Sequence, residues 1–76
     1  MNAPKTISLR GDDTTLLVVD FQERLLPQIH GGEQAAEAAV RMIRAAGVLT
    51  VPIVTSEQYP RGLGPTVPGV RDAYPA

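Results

Sequence analysis

Hydrophobic positions along the chain fall into two patterned segments separated by stretches without pattern. Thr14–Asp20 (TTLLVVD) carries four aliphatic residues in a row, Leu16 to Val19, and ends on a carboxylate. A continuous apolar run of this length reads as a strand covered on both faces, as in a parallel sheet flanked by helices. Glu33–Leu49 instead repeats its apolar and small residues at three- and four-residue steps. Ala36, Ala39, Val40, Ile43, Ala46 and Gly47 make one stripe of a helix. Glu37 and Arg41 stand four apart on a more polar face, with the acid on the N-terminal side. Gly47 either stops this helix or lies inside one that runs to Leu49 and breaks before Val51-Pro52. The second is preferred, because a small residue on the stripe allows close packing on the sheet. Residues 52–56 form a second strand, apolar at Ile53 and Val54, with Pro52 at the first position, where a missing N–H is tolerated.

The remaining segments connect these elements. Residues 1–13 read as a tail and a turn, punctuated by Gly11-Asp12-Asp13. Phe21–His30, broken by Pro27, is a turn or one loose helical turn. Residues 57–76, rich in Gly and Pro from Pro60 onward, keep no hydrophobic periodicity and read as a long loop. Strand, turn, helix, strand and loop make one βαβ unit within residues 14–76, the opening of an α/β sheet with a right-handed crossover. Two strands alone leave edges and apolar faces uncovered, so the domain is expected to be partial.

Composition narrows the functional classes. A chain of 76 residues is one small domain or part of a larger one. The absence of cysteine rules out disulfides and cysteine-based metal sites, and the single histidine, His30, makes no metal site alone. Seven Lys plus Arg against eight Asp plus Glu leave a formal charge of −1 with no block of one sign, so neither nucleic acid nor an anionic membrane is an expected partner. Phe21, Tyr59 and Tyr74 are too few for a base-stacking platform. The start, MNAPKTISLR, lacks the apolar core of a signal peptide and no run is long enough to span a membrane, which makes the cytoplasm the expected location.

Candidate chemistry centres on Asp20, at the C-terminal end of the first strand, where open α/β sheets bind ligands. The second strand ends in the same direction at Ser56-Glu57-Gln58-Tyr59, so these residues are expected in the same crevice. Pattern leaves two readings of Asp20 open: a functional carboxylate, or a strand terminator that accepts backbone N–H bonds. Glu57 and Gln58 also fit plain loop, and His30, beside two glycines, fits a solvated turn. Gly62-Leu63-Gly64-Pro65 is no phosphate loop, because no helix pattern follows and Pro65 and Pro68 each remove an N–H the cradle would use.

LLVVDFQERLLPQI followed by VPIVTSEQYPRGLGPTVPG resembles the N-terminal portion of the isochorismatase-like hydrolases, and within them the branch called isochorismatase domain-containing proteins. The likeness covers residues 14–69. It implies a doubly wound α/β sandwich with a mainly parallel sheet, of which this chain holds only the opening unit, and a homo-oligomeric full-length protein. It also implies hydrolysis of an amide-type or related small-molecule substrate by an Asp, a Lys and a Cys. The thiolate attacks, the Asp takes the thiol proton, the Lys supports the charge, and backbone N–H groups hold the oxyanion. Only the Asp has a counterpart here, Asp20; the only lysine, Lys5, precedes the first strand and there is no cysteine. The 76 residues alone are therefore expected to be inactive. Gln22, Glu57, Gln58 and Tyr59 are candidates to line or order the substrate pocket. Nicotinamidase relatives carry metal-binding Asp and His after the second strand, where Glu57 and Tyr59 stand here, so no metal and no cofactor are expected. A non-catalytic binding or assembly module, using an exposed strand edge and helix face, is the alternative from another class.

Overall fold

The computed structural model describes residues 10–75. The tail expected at residues 1–13 lies mostly outside them; Gly11–Asp13 form a single 3-10 turn. Strand β1 is Leu16–Val19 and strand β2 is Ile53–Ser56. They pair in parallel, Leu16 with Ile53 through Val19 with Ser56, and helix α1, Gly32–Leu49, makes the crossover between them. Two single-turn helices follow β2: α2, Pro60–Leu63, and α3, Pro68–Arg71. Among the described residues no helix is long and apolar enough to cross a membrane.

Helix α1 forms because its alanine-rich sequence costs little side-chain entropy and its apolar residues fall on one side. Glu33 in its first turn complements the positive end of the helix dipole. The helix runs through Gly47 and stops at Thr50, whose left-handed backbone (φ 58°, ψ 37°) turns the chain, while Val51 N–H bonds to Ala46 C=O at 2.8 Å. Gly47 is placed differently from expectation. It faces Pro75 of the C-terminal segment and not the sheet, and a Cβ there would meet Pro75 at an ordinary contact distance of 3.6 Å, so no close approach depends on the glycine. Glu37 and Arg41 are both exposed and form no ion pair among the described residues, where Arg10–Asp12 and Arg71–Asp72 do.

The core is Val18 from β1, Ile43 from α1, and Val70 and Ala73 from the C-terminal segment, with Leu16, Phe21, Ala39, Val40, Ile53 and Tyr74 packed around it. Residues 57–75 are therefore not a structureless loop. Pro60 and Pro68 each occupy the first helical position, where the ring's fixed φ helps and its missing N–H costs nothing. One turn is too short to show a hydrophobic period, which hid both helices. The C-terminal segment is also tied to β2 by a hydrogen bond between the hydroxyls of Thr55 and Tyr74.

Among the described residues one face of β1 is covered and the other is bare, as two strands alone were expected to leave it. Paired residues of a parallel sheet share a face. Leu16, Val18, Ile53 and Thr55 turn toward α1 and α3. The opposite face shows Leu17, Val19 and Val54 at 58%, 52% and 51% exposure, against 4% for Val18. The sequence run is uniformly apolar, but the described residues contain no element that lies on that second face.

The core predicts an asymmetry in mutational cost. Ile43, fully buried, should lose about 2–5 kcal/mol of stability on replacement by Ala. Val48, which is 84% exposed one turn later, should change by no more than about 0.5 kcal/mol when replaced by Ala. Urea unfolding of the two variants checks this, and equal midpoints would contradict the assigned core.

Candidate functional site

The site is built at the C-terminal ends of β1 and β2. Immediately after Val19, Asp20 leaves the strand conformation with a left-handed backbone, φ 57°. It is held there from three sides. Its N–H donates to the Ser56 carbonyl at 3.1 Å, its carbonyl accepts from Gln22 N–H at 2.9 Å, and its Oδ1 accepts from the Ser56 hydroxyl at 2.8 Å. A non-glycine residue pays roughly 1–2 kcal/mol in this region, and such positions persist where surrounding bonds over-determine them. Asp20 and Ser56 are both half-buried.

Gln22 points into the protein between the two strand ends. Its side chain is 0% exposed. The amide Nε2 donates to the carbonyls of Gln58, at 2.8 Å, and Gly64, at 2.9 Å, while Oε1 accepts from the Gln58 N–H at 2.8 Å. Both N–H groups of the amide and one lone pair of its oxygen are used on backbone, which ties the segment after β1 to the segment after β2. The backbone reinforces this closure: Gln22 and Thr66 form an antiparallel bridge, Val67 N–H bonds to Phe21 C=O at 2.7 Å, and Arg24 N–H to Leu63 C=O at 2.8 Å. The segment after β2 is thus laid back over the segment after β1. Gly64 makes the return with φ 80°, a backbone favouring glycine, and a Cβ there would stand 3.3 Å from Glu23 Cβ.

Glu57 turns away from Asp20. One carboxylate oxygen, Oε2, accepts from both the N–H and the hydroxyl of Thr66, at 2.6 and 2.8 Å. Glu57 and Thr66 border an open cavity of about 380 Å³ also lined by Thr55, Pro65, Arg71 and Tyr74, and Asp20 is not among its walls. Strand alternation explains the split: Thr55 and Glu57 point to the covered side of the sheet and Ser56 to the bare side. Gln58 contributes its main chain to Gln22, and its side chain is exposed. Tyr59 is also exposed, at the start of α2 with φ 39°, and its ring fills the space where a Cβ of Gly62 would stand. The five candidates therefore resolve into one half-buried carboxylate at the end of β1, one buried amide spent on backbone, and three loop residues. Ser56, placed by the strand direction beside Asp20 but given no role of its own there, is the residue whose hydroxyl meets the carboxylate. His30 is exposed in the turn before α1. Among the described residues no group of three His, Cys, Asp or Glu side chains is placed to hold a metal ion.

A parallel βαβ unit of this kind belongs to the α/β class of proteins. The curated relatives narrow the class. The chain is 46% identical over 57 residues to isochorismatase domain-containing protein 2A of Mus musculus, a match spanning 75% of this chain and 28% of the relative. It is 42% identical over 55 residues to isochorismatase domain-containing protein 2 of Danio rerio, over 72% of this chain and 28% of the relative. Among solved structures, the MAR1 ribonuclease of Caenorhabditis elegans superposes with a TM-score of 0.85 and 32% identity, covering 90% of this chain and 35% of that one. No protein-family model matches the chain. The chain belongs to the isochorismatase-like family and corresponds to its N-terminal portion. It spans just over a quarter of the length of these curated relatives.

The Gln22 arrangement yields a local prediction. Gln22→Leu keeps the volume but leaves the buried Gly64 carbonyl without its amide donor, a loss of about 1–3 kcal/mol for an unpaired buried group. Hydrogen exchange should show the Gln58 amide losing protection in this variant while amides in the middle of α1 keep theirs. Unchanged protection at Gln58 would show that the backbone bridge alone holds the loop.

Proposed function

We propose that this chain forms the N-terminal part of an isochorismatase-like hydrolase and that Asp20 is its general base. The observation that carries the reading is the held geometry of Asp20: a half-buried carboxylate at a strand C-terminus, in a left-handed conformation fixed by three hydrogen bonds. A mere strand terminator would accept backbone N–H bonds on its side chain. Asp20 instead accepts a hydroxyl on Oδ1, and its Oδ2 has no hydrogen-bond donor among the described residues.

In the reaction this implies, a cysteine thiol gives its proton to Asp20 as sulfur adds to an amide-type carbonyl carbon. The carbon–nitrogen bond then breaks, the amine departs with a proton, and water hydrolyses the thioester to the acid. A lysine near the pair stabilises the thiolate. This sequence contains no cysteine, and its one lysine, Lys5, lies before β1. Nucleophile and lysine would come from polypeptide beyond these residues, as would the further strands of a doubly wound sheet. Gln22 shapes the site from below, and Tyr59, exposed on a strained turn, is the best placed of the loop candidates to meet a small-molecule substrate.

The bare sheet face favours a second reading, a non-catalytic assembly module that buries Leu17, Val19 and Val54 against a partner. Asp20→Asn separates the two. In a longer protein that continues this chain, the substitution should lower the hydrolytic rate by roughly two to four orders of magnitude with the circular dichroism spectrum unchanged. The assay set should hold amide substrates and RNA, because a ribonuclease is among the structural neighbours. An unaffected rate on every substrate turned over would remove Asp20 from the chemistry. Turnover by the 76 residues alone would overturn the partition of the site between segments.

A further inference from the structure

We propose that Ser56 is the positioning residue of the site. Its hydroxyl occupies Oδ1 of Asp20 and so reserves Oδ2 as the oxygen that receives the proton. This rests on the reading of Asp20 as base. The two oxygens of a free carboxylate are equivalent, and an untethered Asp averages over its staggered χ1 rotamers as well as over its broad, roughly two-fold terminal torsion. A donor bound to one oxygen removes that equivalence.

Three features assign the donor. Ser56 Oγ lies 2.8 Å from Oδ1, and an ionised carboxylate can only accept, so the hydroxyl proton is committed to it. The register puts Ser56 beside Val19, while Asp20 N–H donates to the Ser56 carbonyl at 3.1 Å. Main chain and side chain of Asp20 are therefore clipped by the same residue, which fixes backbone and rotamer together. Finally, Ser56 is the one polar strand residue on a face otherwise made of Leu17, Val19 and Val54. A hydroxyl there contributes nothing to apolar packing, and its partner is the carboxylate.

Ser56→Thr and Ser56→Val test this, because the two differ only by a hydroxyl in place of a methyl. The readout is the pair of Hα–Hβ couplings of Asp20, measured by NMR on the 76-residue chain. The unsubstituted chain and Ser56→Thr should give unequal couplings of a single rotamer. Ser56→Val should give averaged couplings with the amide spectrum of α1 unmoved. If Ser56→Val does not fold, Ser56→Ala is read in the same way. Asp20 couplings unchanged on loss of the hydroxyl would overturn the proposal, and so would couplings already averaged in the unsubstituted chain. In the longer hydrolase, Ser56→Val should lower kcat by up to about 100-fold, the scale of a misplaced reacting group, with KM unchanged, and Ser56→Thr should restore it. A rate insensitive to Asp20→Asn alongside the expected couplings would sink the base reading and leave the positioning geometry standing.

Discussion

The buried amide of Gln22 is the constraint on which the end of the sheet depends. It reaches two separate points of the returning chain, Gln58 and Gly64, and satisfies a donor at one and acceptors at both. Backbone in a segment this rich in Gly and Pro has few regular partners of its own, and buried backbone groups must be paired. With the amide in place, the bridge from Gln22 to Thr66 can form, Glu57 can clamp Thr66, and Val70 and Ala73 are delivered to the core. A fully paired buried network of this kind rigidifies as well as stabilises, because each bond is strengthened by the low local dielectric.

Much of this was legible in the residues. The aliphatic run at Leu16–Val19 and the three-and-four spacing of α1 each obey a single period over enough residues to be read. The motif pieces around Asp20 and Glu57-Gln58-Tyr59-Pro60 carried the family likeness. What escaped has physical reasons. Helices α2 and α3 are one turn each, so no repeat exists to detect. Gln22 and Glu57 are polar residues near a site, and pattern cannot tell an amide aimed into a crevice from one spent on backbone. Ser56 was legible as a neighbour of Asp20, but its hydrogen bond to the carboxylate follows only from the register that sets it beside Val19.

Strain is concentrated where the carboxylate and the loop are presented. Asp20 and Tyr59, each just past a strand end, are two of the three non-glycine residues with positive φ among those described; the third, Thr50, turns the chain out of α1. The first two redirect side chains that regular strand geometry would have sent elsewhere. Their cost is offset by neighbouring order: the Ser56 clip for Asp20, and the ring of Tyr59 over Gly62 for the loop.

Leu17, Val19, Val54 and Ser56 share one face of the sheet, and the Ser56 hydroxyl draws the Asp20 carboxylate to that side. Any layer that comes to rest on those aliphatic side chains also excludes water from the carboxylate and its single hydroxyl partner. Covering this face and desolvating the carboxylate would therefore be one event, because the same surface would displace bulk solvent from both. A partner that buried the leucine and valines without offering a donor to Oδ2 would strand that oxygen in a poor dielectric. The bare face thus selects for chemistry as well as shape.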